Sequence, residues 1–136
     1  MTDAKRPLPD AEEADTRAFW QATKAHRLSY QQCRQCNTVV FYPRAHCTGC
    51  TNGELEWKDS AGSGTVYTYS VVRQSYHPFF RGLAPYIVAW IDLDEGPRLV
   101  SNLIGVDTPD LSLIGRRVTV VWEDHETLAV PLFALA

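Results

Sequence analysis

The sequence predicts a mainly β protein: an N-terminal helix, a small cysteine-built module and a five-stranded barrel. Three observations carry this. The four cysteines of the chain, Cys33, Cys36, Cys47 and Cys50, fall as two Cys-x-x-Cys pairs ten residues apart. Alanines recur at helical spacing ahead of them. Behind them, five β-branched and aromatic segments alternate with turn signals.

Residues 1–9 are polar with two prolines and read as a disordered lead-in. Asp10 is a good N-cap, with Glu13 three residues on as its capping-box partner. Ala14, Ala18, Ala22 and Ala25 then mark a narrow apolar stripe, so 11–27 reads as an amphipathic helix. Phe19 and Trp20 are adjacent and point in different directions around it. One can pack on its own domain while the other reaches a partner; both in a local core is the competing reading.

Residues 30–52 hold the cysteine pairs. Between them Thr38-Val39-Val40-Phe41-Tyr42 is β-branched and aromatic, hence a strand, and Pro43-Arg44 turns the chain back. Leu55-Glu56-Trp57-Lys58 alternates as another short strand. Gly62-Ser63-Gly64 reads as a flexible joint. The boundaries follow: lead-in and helix 1–29, cysteine module 30–61, barrel 62–136. The barrel strands are expected at Thr65 to Val72, Pro85 to Leu93, Arg98 to Ile104, Arg116 to Trp122 and Thr127 to Ala134. Asp94-Glu95-Gly96-Pro97 is a hairpin turn. Thr108-Pro109-Asp110 opens one helical turn, with Pro109 at its first position and Gly115 ending it. Five strands in about 70 residues, with a helical turn between the third and fourth, suit an OB-fold; an SH3-like barrel is the competitor.

Each Cys-x-x-Cys turn aims two thiolates at one point, and two facing turns make a Cys₄ shell suited to Zn²⁺. Such a zinc has no open position, so it holds structure and does no chemistry. Iron fits the same shell as a minor alternative. Two disulfides are the other reading, and the opening Met1-Thr2-Asp3-Ala4-Lys5-Arg6 disfavours them, since it lacks the pattern of a signal peptide. Reduced, metal-bound cysteines point to the cytoplasm.

The 136 residues make one ordinary domain or two very small ones. A module of about 25 residues cannot fold alone without its metal. The net charge is −3, and a closed tetrathiolate zinc adds to it. That argues against a general nucleic-acid binder, whose affinity rests on neutralising phosphates.

The chain carries no Gly-x-Ser-x-Gly elbow, P-loop or Gly-x-Gly-x-x-Gly. Every cysteine is claimed by the metal, leaving none as a nucleophile. His26 sits at a helix end, where its imidazole suits the carbonyl dipole. His46 flanks Cys47, where a role beside the site or at the surface is favoured over ligation, and His125 lies in a charged turn. His77 belongs to Tyr76-His77-Pro78-Phe79-Phe80-Arg81-Gly82, the long connection between the first two barrel strands. In an OB-fold that loop lies at the ligand-binding rim. Exposing three aromatics is costly unless something covers them. They form a partner or ligand surface, or they fold back over the barrel mouth. Tyr42-Pro43-Arg44 with His46 gives the cysteine module a basic-aromatic tip, where Arg44 can pair with a phosphate or a carboxylate or remain solvated.

In order and spacing, these residues resemble one family. They are Phe19-Trp20, Cys33-x-x-Cys36, Phe41-Tyr42-Pro43-Arg44, Cys47-x-x-Cys50, Trp57 and Gly62-x-Gly64-x-Val66-Tyr67-x-Tyr69. Pro85-Tyr86-Ile87-Val88-Ala89, Leu93-Asp94-Glu95-Gly96-Pro97, Asn102-Leu103-Ile104-Gly105 and Pro131-x-Phe133 extend the likeness over residues 11 to 136. It is the acyl-CoA-associated family with a rubredoxin-like zinc ribbon ahead of an OB-fold, long described as a domain of unknown function. The resemblance implies an accessory role beside thiolase-like enzymes or hot-dog-fold enoyl-CoA hydratases. It supplies no catalytic residue. The expectation is a non-catalytic subunit, inactive alone, of a lyase or acyltransferase complex with a thiolase-like catalytic partner. The retro-aldolase of steroid side-chain degradation is the specific form expected. A hydratase partner, direct acyl-CoA binding and a nucleic-acid-binding zinc-ribbon/OB protein are the alternatives. Candidate partner or acyl-CoA contacts are Phe19, Trp20, Tyr42, Arg44, Tyr76, His77, Phe79, Phe80 and Arg81. A basic groove on the open barrel face would favour nucleic acid, and an apolar patch where ribbon meets barrel would favour a protein partner.

Overall fold

The computed structural model describes residues 4–136. Of the lead-in expected to be disordered, residues 1–3 lie outside the described residues. Residues 4–9 have no regular secondary structure, yet they are held at one point, where Arg6 pairs with Glu123.

Helix α1 is Arg17–Lys24, shorter than the 11–27 expected. Asp10 explains the late start. Its Oδ1 accepts from the Glu12 N–H at 2.9 Å and its carbonyl from the Glu13 N–H, so it closes a local turn instead of capping a helix. The end is a Schellman motif. The Arg27 N–H reaches the Ala22 carbonyl and the His26 N–H the Thr23 carbonyl, with His26 left-handed at φ 58°. Buried Thr23 then fixes the helix on the barrel: its hydroxyl donates to the Trp20 carbonyl and accepts from the Ala129 N–H at 3.1 Å.

Next comes a three-stranded antiparallel sheet of β1 (Leu28–Cys33), β2 (Val39–Val40) and β3 (Leu55–Ser60), with β1 in the centre. β1 was not expected as a strand, because Leu-Ser-Tyr-Gln-Gln-Cys carries little apolar alternation. Leu28, Tyr30 and Cys33 are buried along it, and its one buried glutamine is satisfied. The buried Gln31 side chain takes the Arg44 N–H at 2.8 Å and gives its own N–H to the Arg44 carbonyl at 3.0 Å, standing in for a strand partner.

The barrel strands are β4 (Ser63–Val72), β5 (Tyr86–Leu93), β6 (Arg98–Ile104), β7 (Arg117–Asp124) and β8 (Ala129–Leu135). They close in the order β4-β5-β6-β8-β7, antiparallel except for a short parallel β6–β8 pairing at Leu103–Phe133 and Ile104–Ala134. This is the OB-fold arrangement. The 3₁₀ turn Leu111–Leu113 sits between β6 and β7, capped by Asp110 and followed by left-handed Gly115; Pro109 lies outside it. Leu113 points into the barrel with Val66, Ile87, Ile91, Leu103 and Phe133. Phe19 and Leu28 belong to the same core, so helix, ribbon and barrel share one apolar interior.

The Gly62–Ser63–Gly64 segment expected as a flexible joint is clamped. Glu95, from the β5–β6 turn, accepts from the Ser60 hydroxyl at 2.7 Å and the Ala61 N–H at 2.8 Å. The glycines serve close approach: a Cβ on Gly62 would meet Val120 and one on Gly64 the Asp92 carbonyl, each at 2.5 Å. A second surprise is helix α2 (Pro78–Leu83) within the long β4–β5 connection. Among the described residues no helix is long and apolar enough to cross a membrane.

Candidate metal centre and docking surfaces

The two cysteine turns repeat one hydrogen-bond scheme. In the first, the Cys33 N–H donates to the Thr38 carbonyl at 2.9 Å and the Asn37 N–H to the Cys33 carbonyl at 3.0 Å. In the second, the Cys47 N–H donates to the Asn52 carbonyl at 2.8 Å and the Thr51 N–H to the Cys47 carbonyl at 3.1 Å. Asn37 and Thr51, each directly after the second cysteine of its pair, are left-handed at φ 64° and 65°. Backbone N–H groups of Gln35 and Cys36 point at the Cys33 sulfur, and that of Gly49 points at the Cys47 sulfur. Donors aimed at sulfur favour thiolates.

The four sulfurs lie within 4.8 Å of one another, with Cys33–Cys50 at 3.6 Å and Cys36–Cys47 at 3.5 Å. A tetrahedral Zn²⁺ with bonds of about 2.3 Å needs its sulfurs about 3.8 Å apart, so the cluster has the right size. The thiols are not alike in protonation. The Thr38 side chain, 3.0 Å from the Cys36 sulfur, and the Thr38 amide bring the Cys36 thiol down to about 6. The Asn52 amide lowers Cys50, but burial and the other three cysteines outweigh it and push that thiol up to about 12. Four thiolates at this spacing need a cation among them, and a dication removes the repulsion that holds the Cys50 proton. Cys33, Cys36, Cys47 and Cys50 would hold the zinc with no position left for water or substrate. Gly49 is required at the packing level: a Cβ there would lie 2.7 Å from the Thr38 hydroxyl and 3.6 Å from the Cys36 sulfur.

The other candidate residues fall at two places. Phe19 is only 5% exposed and belongs to the core, which leaves Trp20 as the aromatic of that pair with free surface. Trp20 lines a groove of about 270 Å³ where helix, ribbon and barrel meet, together with Phe41, Tyr42, Pro43, Val100 and Pro131. Tyr42 is half-exposed and also ties the modules together, its hydroxyl accepting from the Val100 N–H at 3.0 Å. Arg44 is exposed beside it.

The remaining five sit around α2. His77 caps the helix, Nδ1 accepting from the Phe79 N–H at 3.1 Å. Arg81 donates back to the Tyr76 carbonyl at 2.8 Å. Phe79 and Phe80 pack edge to face, Phe80 lies against Tyr86, and Arg6 covers both phenyl rings. Tyr76 stays 85% exposed. Strands β4 and β5 expose Tyr67 and Trp90, and the two arginines nearest them and at the β4–β7 edge are paired. Asp92 binds Arg98 through two contacts at 2.6 and 3.2 Å, and Asp94 binds Arg117 through two at 2.7 Å. Arg117 in turn holds the Asp94 carboxyl below its ordinary range.

The reading of the sequence missed Thr38, Gln31 and Arg6. Thr38, two residues past Cys36 and directly after the left-handed Asn37, carries a signal in its spacing. Gln31 and Arg6 carry none, because their partners lie 13 and 117 residues away.

A four-cysteine ribbon locked onto an OB barrel, with apolar and aromatic surface at the junction, defines a metal-stapled ribbon-and-barrel protein. The family models agree. That for the ChsH2 rubredoxin-like zinc ribbon domain matches residues 20–56, and that for the ChsH2 C-terminal OB-fold domain matches residues 57–123. The chain belongs to this zinc-ribbon and OB-fold family, the DUF35 family. It is 39% identical over 132 residues to a probable enoyl-CoA hydratase alpha subunit of Thermomonospora curvata, covering 96% of this chain and 40% of that one. It is 34% identical to a DUF35 domain-containing scaffold protein of Methanothermobacter thermautotrophicus, covering 78% and 79%. A benzoylsuccinyl-CoA thiolase subunit, BbsA, of Geobacter metallireducens is 35% identical over 60% of this chain and 53% of its own length. Among solved structures, a chain of the Ltp2-ChsH2(DUF35) aldolase superposes with a TM-score of 0.81 at 35% identity, covering 93% of this chain and 98% of that one. The chain thus spans less than half of the hydratase subunit but nearly the whole of the aldolase chain.

Proposed function

We propose that this protein is a non-catalytic subunit of an acyl-CoA enzyme, binding a thiolase-like catalytic partner and supporting its assembly and acyl-CoA handling. The observation that carries this reading is the near end-to-end match to the DUF35 chain of an aldolase. Retro-aldol cleavage of a steroid side-chain acyl-CoA is the specific reaction proposed. The apolar groove at the ribbon–barrel junction is the surface a protein partner needs, and the pairing of Arg98 with Asp92 and of Arg117 with Asp94 speaks against phosphate binding at those two arginines. The free cysteines support a cytoplasmic setting. A hot-dog-fold hydratase partner is the second reading, favoured by the 39% identity to a hydratase subunit.

The test is reconstitution. The purified chain alone is expected to turn over no acyl-CoA, and activity is expected only when the catalytic partner is added. Turnover by the chain alone, lost on His77→Ala, would contradict this reading. Cleavage of a steroid acyl-CoA separates the aldolase reading from the hydratase one, whose signature is water addition to an enoyl thioester.

A further inference from the structure

The contacts of Arg6 define a built pocket. Its side chain is 9% exposed although it comes from a segment without regular structure. Its Nε and Nη2 donate to the two oxygens of Glu123 at 2.5 and 3.0 Å, the paired geometry that only a guanidinium supplies. The cation lies 4.8 Å from the centre of the Phe79 ring and 5.6 Å from that of Phe80. Behind the carboxylate, His125 Nε2 stands 2.6 Å from Glu123 Oε1. Burial alone would raise the Glu123 carboxyl, but Arg6 and His125 outweigh it and keep it ionised. Arg6 and Glu123 also line a cleft of about 610 Å³ between the β4–β5 connection and the segment after β6, bounded by Tyr86, Ile104 and Val106. That volume is within the range of small-molecule sites.

We infer that the barrel rim carries a guanidinium-recognition pocket, made by Glu123, Phe79 and Phe80, for an arginine on an extended peptide segment. The chain's own residues 4–9 fill it in cis and strap α2 over the neighbouring cleft. An arginine-bearing segment of another protein gains this pocket by displacing the strap, which frees α2 and opens the cleft. The inference does not rest on the proposed catalytic partner, because the pocket and the arginine that fills it both lie within this chain.

The experiment uses the full chain and a capped hexapeptide of residues 4–9, Ala-Lys-Arg-Pro-Leu-Pro. Arg6→Ala empties the pocket and should bind the peptide at least about tenfold more tightly than the wild type, whose own strap competes, as expected for loss of a charge-assisted pair. The same peptide with citrulline for arginine should not bind, nor should the peptide bind Arg6→Ala/Glu123→Gln. Amide hydrogen exchange gives an independent readout: Arg81 and Ala84, whose N–H groups close α2, should exchange faster in Arg6→Ala, with β5 and β6 unchanged. Equal peptide binding by wild type and Arg6→Ala, binding unaffected by citrulline, no binding by Arg6→Ala, or unchanged exchange in α2 would each overturn the inference.

Discussion

Removing the metal is expected to unfold the ribbon while leaving most of the barrel folded. The ribbon's own apolar cluster consists of Cys33, Val40 and Cys47, with Cys50 and Leu55 packed on it. Three of those five are ligands, so the apolar surface left without the ion is small. Structural zinc contributes on the order of 10 kcal/mol in ribbons and fingers, far more than such a cluster. The barrel has its own core and a closed hydrogen-bond ring. Metal analysis should find about one zinc per chain. Cys36→Ser or a strong chelator should release it and abolish the protection of amides at 33–52, while those of β5 and β7 stay protected. Helix α1 and Leu28 should keep most of their protection, because Phe19 and Leu28 are anchored in the barrel core and Thr23 bonds to Ala129. A metal-free chain with an intact ribbon, or two disulfides, would contradict the assignment.

The second large effect separates two adjacent aromatics. Phe19 is packed in the common core against Trp20 and Phe41, with ring centres 4.8 and 5.7 Å away. Phe19→Ala should lower stability by about 3–5 kcal/mol. Trp20 lies on the wall of the junction groove. A tryptophan anchor at an interface is worth about 2 kcal/mol or more on truncation, roughly thirtyfold in affinity. Trp20→Ala should therefore weaken association with the catalytic partner to that extent, with only a modest change in melting temperature. Full affinity in Trp20→Ala would move the interface away from this groove, towards Tyr76 or the Arg44 tip.

The architecture was legible wherever the chain states it locally. The cysteine spacing specified a closed tetrahedral site. The β-branched and aromatic run from Pro85 to Leu93 specified a strand, and β5 is Tyr86–Leu93, with Ile87, Ala89, Ile91 and Leu93 buried. Asp110 and Gly115 bracketed the turn between β6 and β7 within a residue or two. What escaped depends on partners distant in sequence. Strand β1 mixes buried Leu28 and Tyr30 with a buried glutamine satisfied by Arg44, a pattern that no periodicity announces. The segment 76–83 is short and aromatic, so it reads as a loop; His77 capping and Pro78 at the first turn make it a helix. The glycines at 62 and 64 suggested freedom, whereas they permit the closest approaches to Val120 and Asp92. Of the adjacent Phe19 and Trp20, periodicity said that they diverge, but not which one faces inward. The barrel's closure over Leu28 and Phe133 decides that.

A subunit proposed to act only within an acyl-CoA enzyme should bring its partner with it. The decisive measurement is purification of the tagged full chain from its native host, with the co-purifying subunit identified and its stoichiometry measured. A thiolase-like subunit is expected in a fixed ratio, with acyl-CoA cleavage present in the complex and absent from the separated chain. Isolation of the chain without any acyl-CoA enzyme, or with nucleic acid in its place, would contradict it.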